Sequence, residues 1–399
     1  MSTSAEYADY RWLVTDSAAQ KLAELSHEPG DPLRLASRLR REMSAQRAHL
    51  LQTQLELRQR AKVKFSRADD MFFTQVGLEQ ATDEWVAAYK ASRFSGVRGP
   101  ACDLCCGIGG DLMALSERVE SIGVDRNGVA ALLARANCEV TGRCAPTIVG
   151  DAAQPPVRMT AWHIDPDRRP SGRRSTSIEH HEPGRATLES LLRICPNAAI
   201  KLAPAASLPE RWSAEAELEW ISRGGECKQL VAWFGSLAGM PGQRRATIVE
   251  SDVVSPAART LFGDPDNLPP VSESFGRYLA DPDSAILAAG LVGTLAIEHR
   301  LTAIAPGAVY LTGDSAQLDP ALDWFEIEEV LAFDVKRLKA LLRQRHIGRL
   351  EIKQRGVRSD PETLRRQLSV PGDEAATLFL ARRGKSVTAL LTHRVRTPP

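Results

Sequence analysis

From residue 101 onward the sequence alternates short apolar runs with glycine-rich or polar breaks, and this constrains the fold more than any other feature. Strand candidates are Ala101–Cys105, Val119–Val124, Pro146–Val149, Ala161–Ile164 and Ala198–Leu202, followed by Lys228–Phe234 and Ala246–Val249. Helical stretches such as Leu112–Arg118 and Gly128–Glu139 separate the first ones. Strand–helix alternation predicts an α/β fold, a mostly parallel sheet with helices on both faces. Only Gly235–Arg245 divides the last two candidates, a spacing that predicts a hairpin and a mixed sheet at one edge.

Open sheets of this kind bind ligands at the carboxyl ends of their strands, where strand order reverses. Asp103 ends the first strand, and Gly107, Gly109 and Gly110 follow it. Glycine lets the backbone turn sharply and lets a ligand approach where a Cβ would clash. Asp103 is placed to orient this loop or to accept a hydrogen bond from a ligand ammonium. Asp125 closes the second strand and can accept from both hydroxyls of a ribose. Asp151 follows the third and can accept from an adenine amino group. Three acids at three successive strand ends suit a nucleoside that carries an amino acid. The competing dinucleotide reading needs G-x-G-x-x-G, and Leu112 occupies the third glycine position.

The fourth strand leads into His163-Ile-Asp165-Pro166-Asp167-Arg168-Arg169. Asp165 at that strand end can accept a hydrogen bond from an amino group, and Pro166 fixes the turn that presents it. The bland alternative is an Asp-Pro turn that simply ends a strand. Arg168, Arg169, Arg173 and Arg174 form a basic loop beside it, suited to phosphates. Cys102-x-x-Cys105-Cys106 matches half a metal site, but no second Cys or His pair completes it, so no metal is required. His180-His181 falls in a polar loop and is expected to face solvent.

Arg34 to Arg67 holds ten Lys/Arg against two acids, and Phe333 to Arg366 eleven against four. The whole chain carries only +1, so these two segments concentrate what positive charge there is. They suit a phosphate-rich partner, or serve as solvated helix faces. No apolar run is long enough to span a bilayer, the first ten residues do not read as a signal peptide, and seven cysteines suit a reducing compartment, the cytoplasm. Residues 8–67 and Leu78–Ser92 read as helical, and Gly99-Pro100 breaks the chain after them. Gly263–Val271 reads as loop and Ala285–His299 as one helix. Near the end, Asp334–His346 and Asp360–Leu368 read as helices, with a hairpin around Arg383-Gly384.

Several separated segments resemble one family: Leu78-Glu79-Gln80-Ala81-Thr82, the glycine loop, Asp165 to Arg169, Tyr278-Leu279-Ala280-Asp281-Pro282, Tyr310-Leu311-Thr312 and Lys353-Gln354-Arg355-Gly356. They look like bacterial class I methyltransferases with a C-terminal THUMP-like domain. The resemblance implies a Rossmann-like sheet at 96–255, after an N-terminal helical domain at 1–95. A linking region at 256–323 and a small α+β domain at 324–399 would follow. It implies S-adenosyl-L-methionine as cofactor and RNA as substrate. Amino-methylating enzymes usually follow the first residue of the Asp165 motif with Pro-Pro and an aromatic, but Asp167 and Arg168 stand here, so base stacking by that motif is lost. Two other readings remain open: a methyltransferase of a small molecule or protein, and a non-catalytic RNA-binding scaffold with a relict cofactor fold.

Overall fold

The computed structural model describes residues 4–26, 32–168, 175–250, 258–355, 357, 360–384 and 386–395. The chain divides into two compact units: Met1–Leu218 with Gln229–Gly242 and Val249–Ala257, and Glu219–Lys228 with Gln243–Ile248 and Ala258–Pro399.

Six helices open the first unit: α1 (Ser4–Leu13), α2 (Asp16–Ser26), α3 (Pro32–Glu42), α4 (Ala45–Ala61), α5 (Gln75–Gln80) and α6 (Glu84–Ser92). The alternating region follows as β1 (Ala101–Leu104), α7 (Gly110–Leu115), β2 (Ser121–Asp125), α8 (Gly128–Val140), β3 (Thr147–Val149) and β4 (Ala161–Ile164). Next come α9 (Arg185–Ile194), β5 (Ala198–Leu202), α10 (Glu210–Glu215), β6 (Glu217–Arg223) and β7 (Glu226–Phe234). In this unit the strands run in the order β3-β2-β1-β4-β5-β7. The first five are mutually parallel, and β7 is antiparallel to β5. Strand order reverses between β1 and β4, which opens a crevice at their carboxyl ends. Both strands are buried along their whole length, as a sheet covered on two faces requires.

The helical segment is fastened to the sheet by buried polar groups whose hydrogen bonds are satisfied within the chain. Gln54 Nε2 donates to Phe73 O (2.6 Å), and Phe73 N–H returns a bond to Gln54 Oε1 (2.9 Å). Asn137 of α8 accepts from Phe72 N–H (2.8 Å) and donates to Ile108 O (2.9 Å), linking that segment to the glycine loop.

The second unit contains β8 (Arg244–Val249), β9 (Ala258–Gly263), β10 (Tyr278–Pro282), α11 (Ser284–Ala289), α12 (Val292–His299), β11 (Thr302–Ala303) and β12 (Leu311–Gly313). It ends with β13 (Leu322–Ala332), α13 (Val335–Gln344), β14 (Ile347–Arg355), α14 (Pro361–Leu368), β15 (Glu374–Arg383) and β16 (Ser386–Arg394). Its larger sheet has the order β11-β12-β10-β13-β16-β15-β14. Pairing is antiparallel apart from β14 with β15. Leu338 and Leu342 of α13, with Leu364 and Leu368 of α14, bury against Leu378 and Leu391 of the sheet.

Four expectations are corrected. The helix expected over Leu78–Ser92 is two helices, because Asp83 caps α6 through Val86 N–H (3.1 Å) and ends the register of α5. The helix expected over Ala285–His299 breaks at Gly290, whose φ of 75° closes α11 with a left-handed cap. The expected hairpin between the last two strand candidates is instead β6–β7, turning at Gly224 and Gly225 with φ of 61° and 77°. Two consecutive glycines at positive φ match the twist of a two-residue hairpin. The loop expected from Gly263 is preceded by β9, whose last residue is Gly263.

Candidate active site

A cleft of about 560 Å³ opens at the carboxyl ends of β1, β2 and β4. Gly107, Gly110, Asp103, Asp125, Asp151, Asp165, Pro166 and Arg168, all expected from sequence, line it. Gly107 has φ of 55°, and a Cβ there would enter open space. Gly109, with φ of 89°, packs against α8, where a Cβ would come within 3.1 Å of Ala134. The loop therefore favours glycine at Gly107 for its left-handed backbone and at Gly109 for packing as well. Arg169, Arg173 and Arg174 lie outside the described residues. Arg168 is half-buried, and its carbonyl accepts from Ser175 N–H (3.0 Å).

Asp125 holds the glycine loop as well as facing the cleft. Its Oδ2 accepts from Gly107 N–H (2.9 Å) and its Oδ1 from Asn127 N–H (2.8 Å). Burial raises its pKa, partly offset by those two bonds. Asp151 is exposed, and its Oδ1 accepts from Ala153 N–H (2.8 Å). Asp103 is 1% exposed, and Oδ1 accepts from His163 Nδ1–H (2.7 Å) while the buried Oδ2 has no hydrogen-bond partner. Burial pushes its pKa up, against the pull of His163. Asp165 is one-quarter exposed and forms an ion pair with Lys201 of β5. Asp167 pairs its backbone with Glu182, which in turn binds Arg126.

Behind these acids lies a buried network that the motifs did not reveal. Lys90 of α6, 2% exposed, donates to Asp111 (2.7 Å) and to His163 Nε2 (3.2 Å). The Thr82 hydroxyl donates to Asp111 (2.7 Å) and accepts from Lys201 Nζ (3.0 Å). Burial lowers the Lys90 pKa despite Asp111. For Asp111, burial would raise the pKa, but Lys90, His163 and Lys201 together outweigh it and hold the carboxyl below its usual range. Asp103, Asp111 and Asp165 thus gather around Lys90, Lys201 and His163 at the floor of the cleft. The orphaned Asp103 oxygen suits a ligand group that donates a hydrogen bond, such as an ammonium.

One further expectation changes. His181 is buried, 5% exposed, with Nε2 beside Ser175 O (3.1 Å), and burial lowers its pKa. Its neighbour His180 alone faces solvent. Cys105 lines the cleft with φ of 59°, an uncommon conformation for a residue other than glycine.

This chain is 34% identical, over 329 residues, to an uncharacterized S-adenosylmethionine-dependent methyltransferase of Mycobacterium tuberculosis, found in strains CDC 1551 and H37Rv. The match covers 82% of this chain and 88% of the relative. The chain belongs to the S-adenosylmethionine-dependent methyltransferases. A solved structure from Porphyromonas gingivalis W83, described as a methyltransferase, superposes with a TM-score of 0.75 at 21% identity. It covers 99% of this chain and 100% of that one, and shows the shared fold. The THUMP domain-like family matches residues 322–394, and a domain of unknown function (DUF8688) matches residues 6–61.

The residues of this methyltransferase fit the family's cofactor, S-adenosylmethionine. Asp103, whose buried Oδ2 lacks a hydrogen-bond partner, lines a cleft whose glycine loop leaves open space at Gly107. In the second unit, segments that resembled the family also meet: Lys353 Nζ binds Asp281 (2.7 Å), and the Arg355 guanidinium lies over the Tyr310 ring at 5.7 Å. Glu298, His299 and Asp319 cluster as metal ligands do, but Arg259 already binds both acids. Among the described residues, no helix is long and apolar enough to cross a membrane.

Proposed function

We propose that this methyltransferase acts on RNA, at an amino nitrogen that Asp165 holds against the cofactor's methyl group. The observation that carries the reading is that Asp165 lines the same cleft as Gly107, Asp103 and Asp125. S-adenosylmethionine supplies an electrophilic methyl group on a sulfonium. Asp103 Oδ2 would bind its ammonium, Asp125 its ribose hydroxyls and Asp151 its adenine amino group. Gly107, Gly109 and Gly110 leave the backbone close to the ligand. Asp165, presented by Pro166, orients the acceptor so that its lone pair points into the cleft. Arg168, with Arg169, Arg173 and Arg174, would bind phosphates beside it.

Support for RNA comes from the THUMP-like match and from the basic helices. Arg34, Arg40 and Arg41 of α3 and Lys336, Arg337 and Arg343 of α13 are exposed. The described cysteines are all free thiols, which suits action in the cytoplasm. One observation favours the second reading, a small-molecule or protein acceptor: no Phe, Tyr or Trp side chain lines the cleft among the described residues. Mass spectrometry of nucleosides from cells with and without the protein tests the proposal. A methylated nucleoside lost with the protein, and not restored by Asp165→Ala, is expected. Unchanged nucleosides alongside a methylated protein or metabolite would overturn it.

A further inference from the structure

The buried network has a polarity that assigns a role to Lys201. With Lys90 as an ammonium, which can only donate, the network's donors and acceptors run in one direction. His163 Nδ1–H donates to Asp103, so Nε2 carries a lone pair and accepts from Lys90. Lys90 also donates to Asp111, whose other oxygen takes the single hydroxyl proton of Thr82. Thr82 is left with lone pairs, which accept from Lys201. Another Lys201 proton goes to Asp165 Oδ2. Each group fixes the orientation of the next, from the acid at the end of β1 to the acid at the end of β4.

Burying an ammonium is unfavourable until it is paired. Lys201 is 6% exposed, yet its acidic partner is the more exposed Asp165 on the rim of the cleft. An ion pair serving the core alone would sit with its carboxylate inside. Asp165 Oδ1 makes no hydrogen bond among the described residues, so the pair leaves one oxygen free beside the glycine loop.

We propose that Lys201, steered by the Thr82 hydroxyl, is a positioning residue: it holds Asp165 Oδ2 and leaves Oδ1 for the N–H of the acceptor amine. This rests on the reading of Asp165 given above. It also gives a role to Thr82, which comes from the segment ahead of the sheet.

The test compares wild-type protein with Lys201→Met, Lys201→Arg, Thr82→Val and Thr82→Ser. S-adenosylhomocysteine affinity by calorimetry reports the cofactor cradle and should stay within about threefold in the Lys201 variants, since Lys201 does not line the cleft. In cofactor-free protein the Asp165 13Cγ resonance, identified by its loss in Asp165→Asn, should move in Lys201→Met and return in Lys201→Arg. With tritiated methyl donor and total RNA, Lys201→Met and Thr82→Val should lower kcat about 10- to 100-fold with KM nearly unchanged. Thr82→Ser should restore most of it. If Lys201→Met does not fold, the Thr82 pair carries the test, because it leaves both charges in place. An unmoved Asp165 resonance, or a folded Lys201→Met with wild-type kcat, would overturn the assignment. Wild-type protein that labels no RNA would sink the RNA reading instead, and the Asp165 resonance would still decide Lys201.

Discussion

Lys90 and Asp111 provide a sharp test of how the first unit is held together. The Lys90 side chain is 2% exposed and makes two charge-assisted bonds, to Asp111 and His163. Lys90→Met removes both and leaves Asp111 with fewer cations in a buried site. Breaking one partner of a buried pair typically costs about 3–5 kcal/mol, most of it from the stranded charge. Asp111→Leu strands Lys90 in the same way and should cost a similar amount. The double variant removes both charges and fills the space with apolar atoms. Its penalty should be about 1–2 kcal/mol, the lost bond of Thr82 included, so the coupling between the two sites should exceed about 2 kcal/mol. Urea unfolding measures this, provided the transition of the first unit is picked out. Saturating S-adenosylhomocysteine should move that transition alone. If the two single penalties simply add in the double variant, the pair is not the coupled buried unit described here.

Asp111 also sets an acid limit. A carboxyl held below its usual range contributes stability that is complete above the ordinary Asp value of about 4 and is lost as pH falls through the folded value. The urea midpoint of the first unit should therefore drop from pH 5 to pH 3, and drop less in Asp111→Asn. Cys105→Gly should stabilise the protein by about 0.5–1 kcal/mol, the relief of a left-handed residue less the entropy of glycine, seen as a rise in Tm. If RNA is the substrate, its affinity should fall with salt on a log–log slope of several units, and charge reversal at Lys336, Arg337 and Arg343 should flatten that slope. A flat response in the wild-type protein would favour a neutral acceptor.

What was legible in the sequence was what repeats along the chain. The β1 to β5 alternation, the glycine loop and the C-terminal hairpin follow from local pattern and turn chemistry, and all are present. The strand β6 was missed because Glu217, Glu219 and Ser222 interrupt its apolar pattern. Those polar residues are buried in the structure, Glu217 on Arg93 and Glu219 on Arg245. Pairing across 124 residues for Glu217 and across the intervening β7 hairpin for Glu219 converts unfavourable strand residues into buried ion pairs, and no local window contains that information. Lys90, Asp111 and Lys201 escaped notice for the same reason. Each has an ordinary neighbourhood in sequence, and only the fold brings them together. A charged residue within the run Ala198–Leu202, otherwise wholly apolar, was the one local sign.

The helices ahead of the sheet read as a separate domain, yet they share one compact unit with it. Three sets of bonds account for this. Asn137 ties Phe72 to the glycine loop at Ile108. Lys64 Nζ donates to the carbonyls of Leu78 (2.8 Å) and Ala81 (2.8 Å) and so closes α5, whose Gly77 lines the cleft. Thr82 then bridges Asp111 and Lys201. The segment from Thr74 to Thr82 therefore forms part of the cleft wall and part of the network beneath Asp165. A sheet freed of it would lose a wall of the cleft, the donor that orients Asp111 and the acceptor that orients Lys201, although every strand and the glycine loop would remain in its sequence. The compact unit that carries the cleft begins in its helices, well before β1.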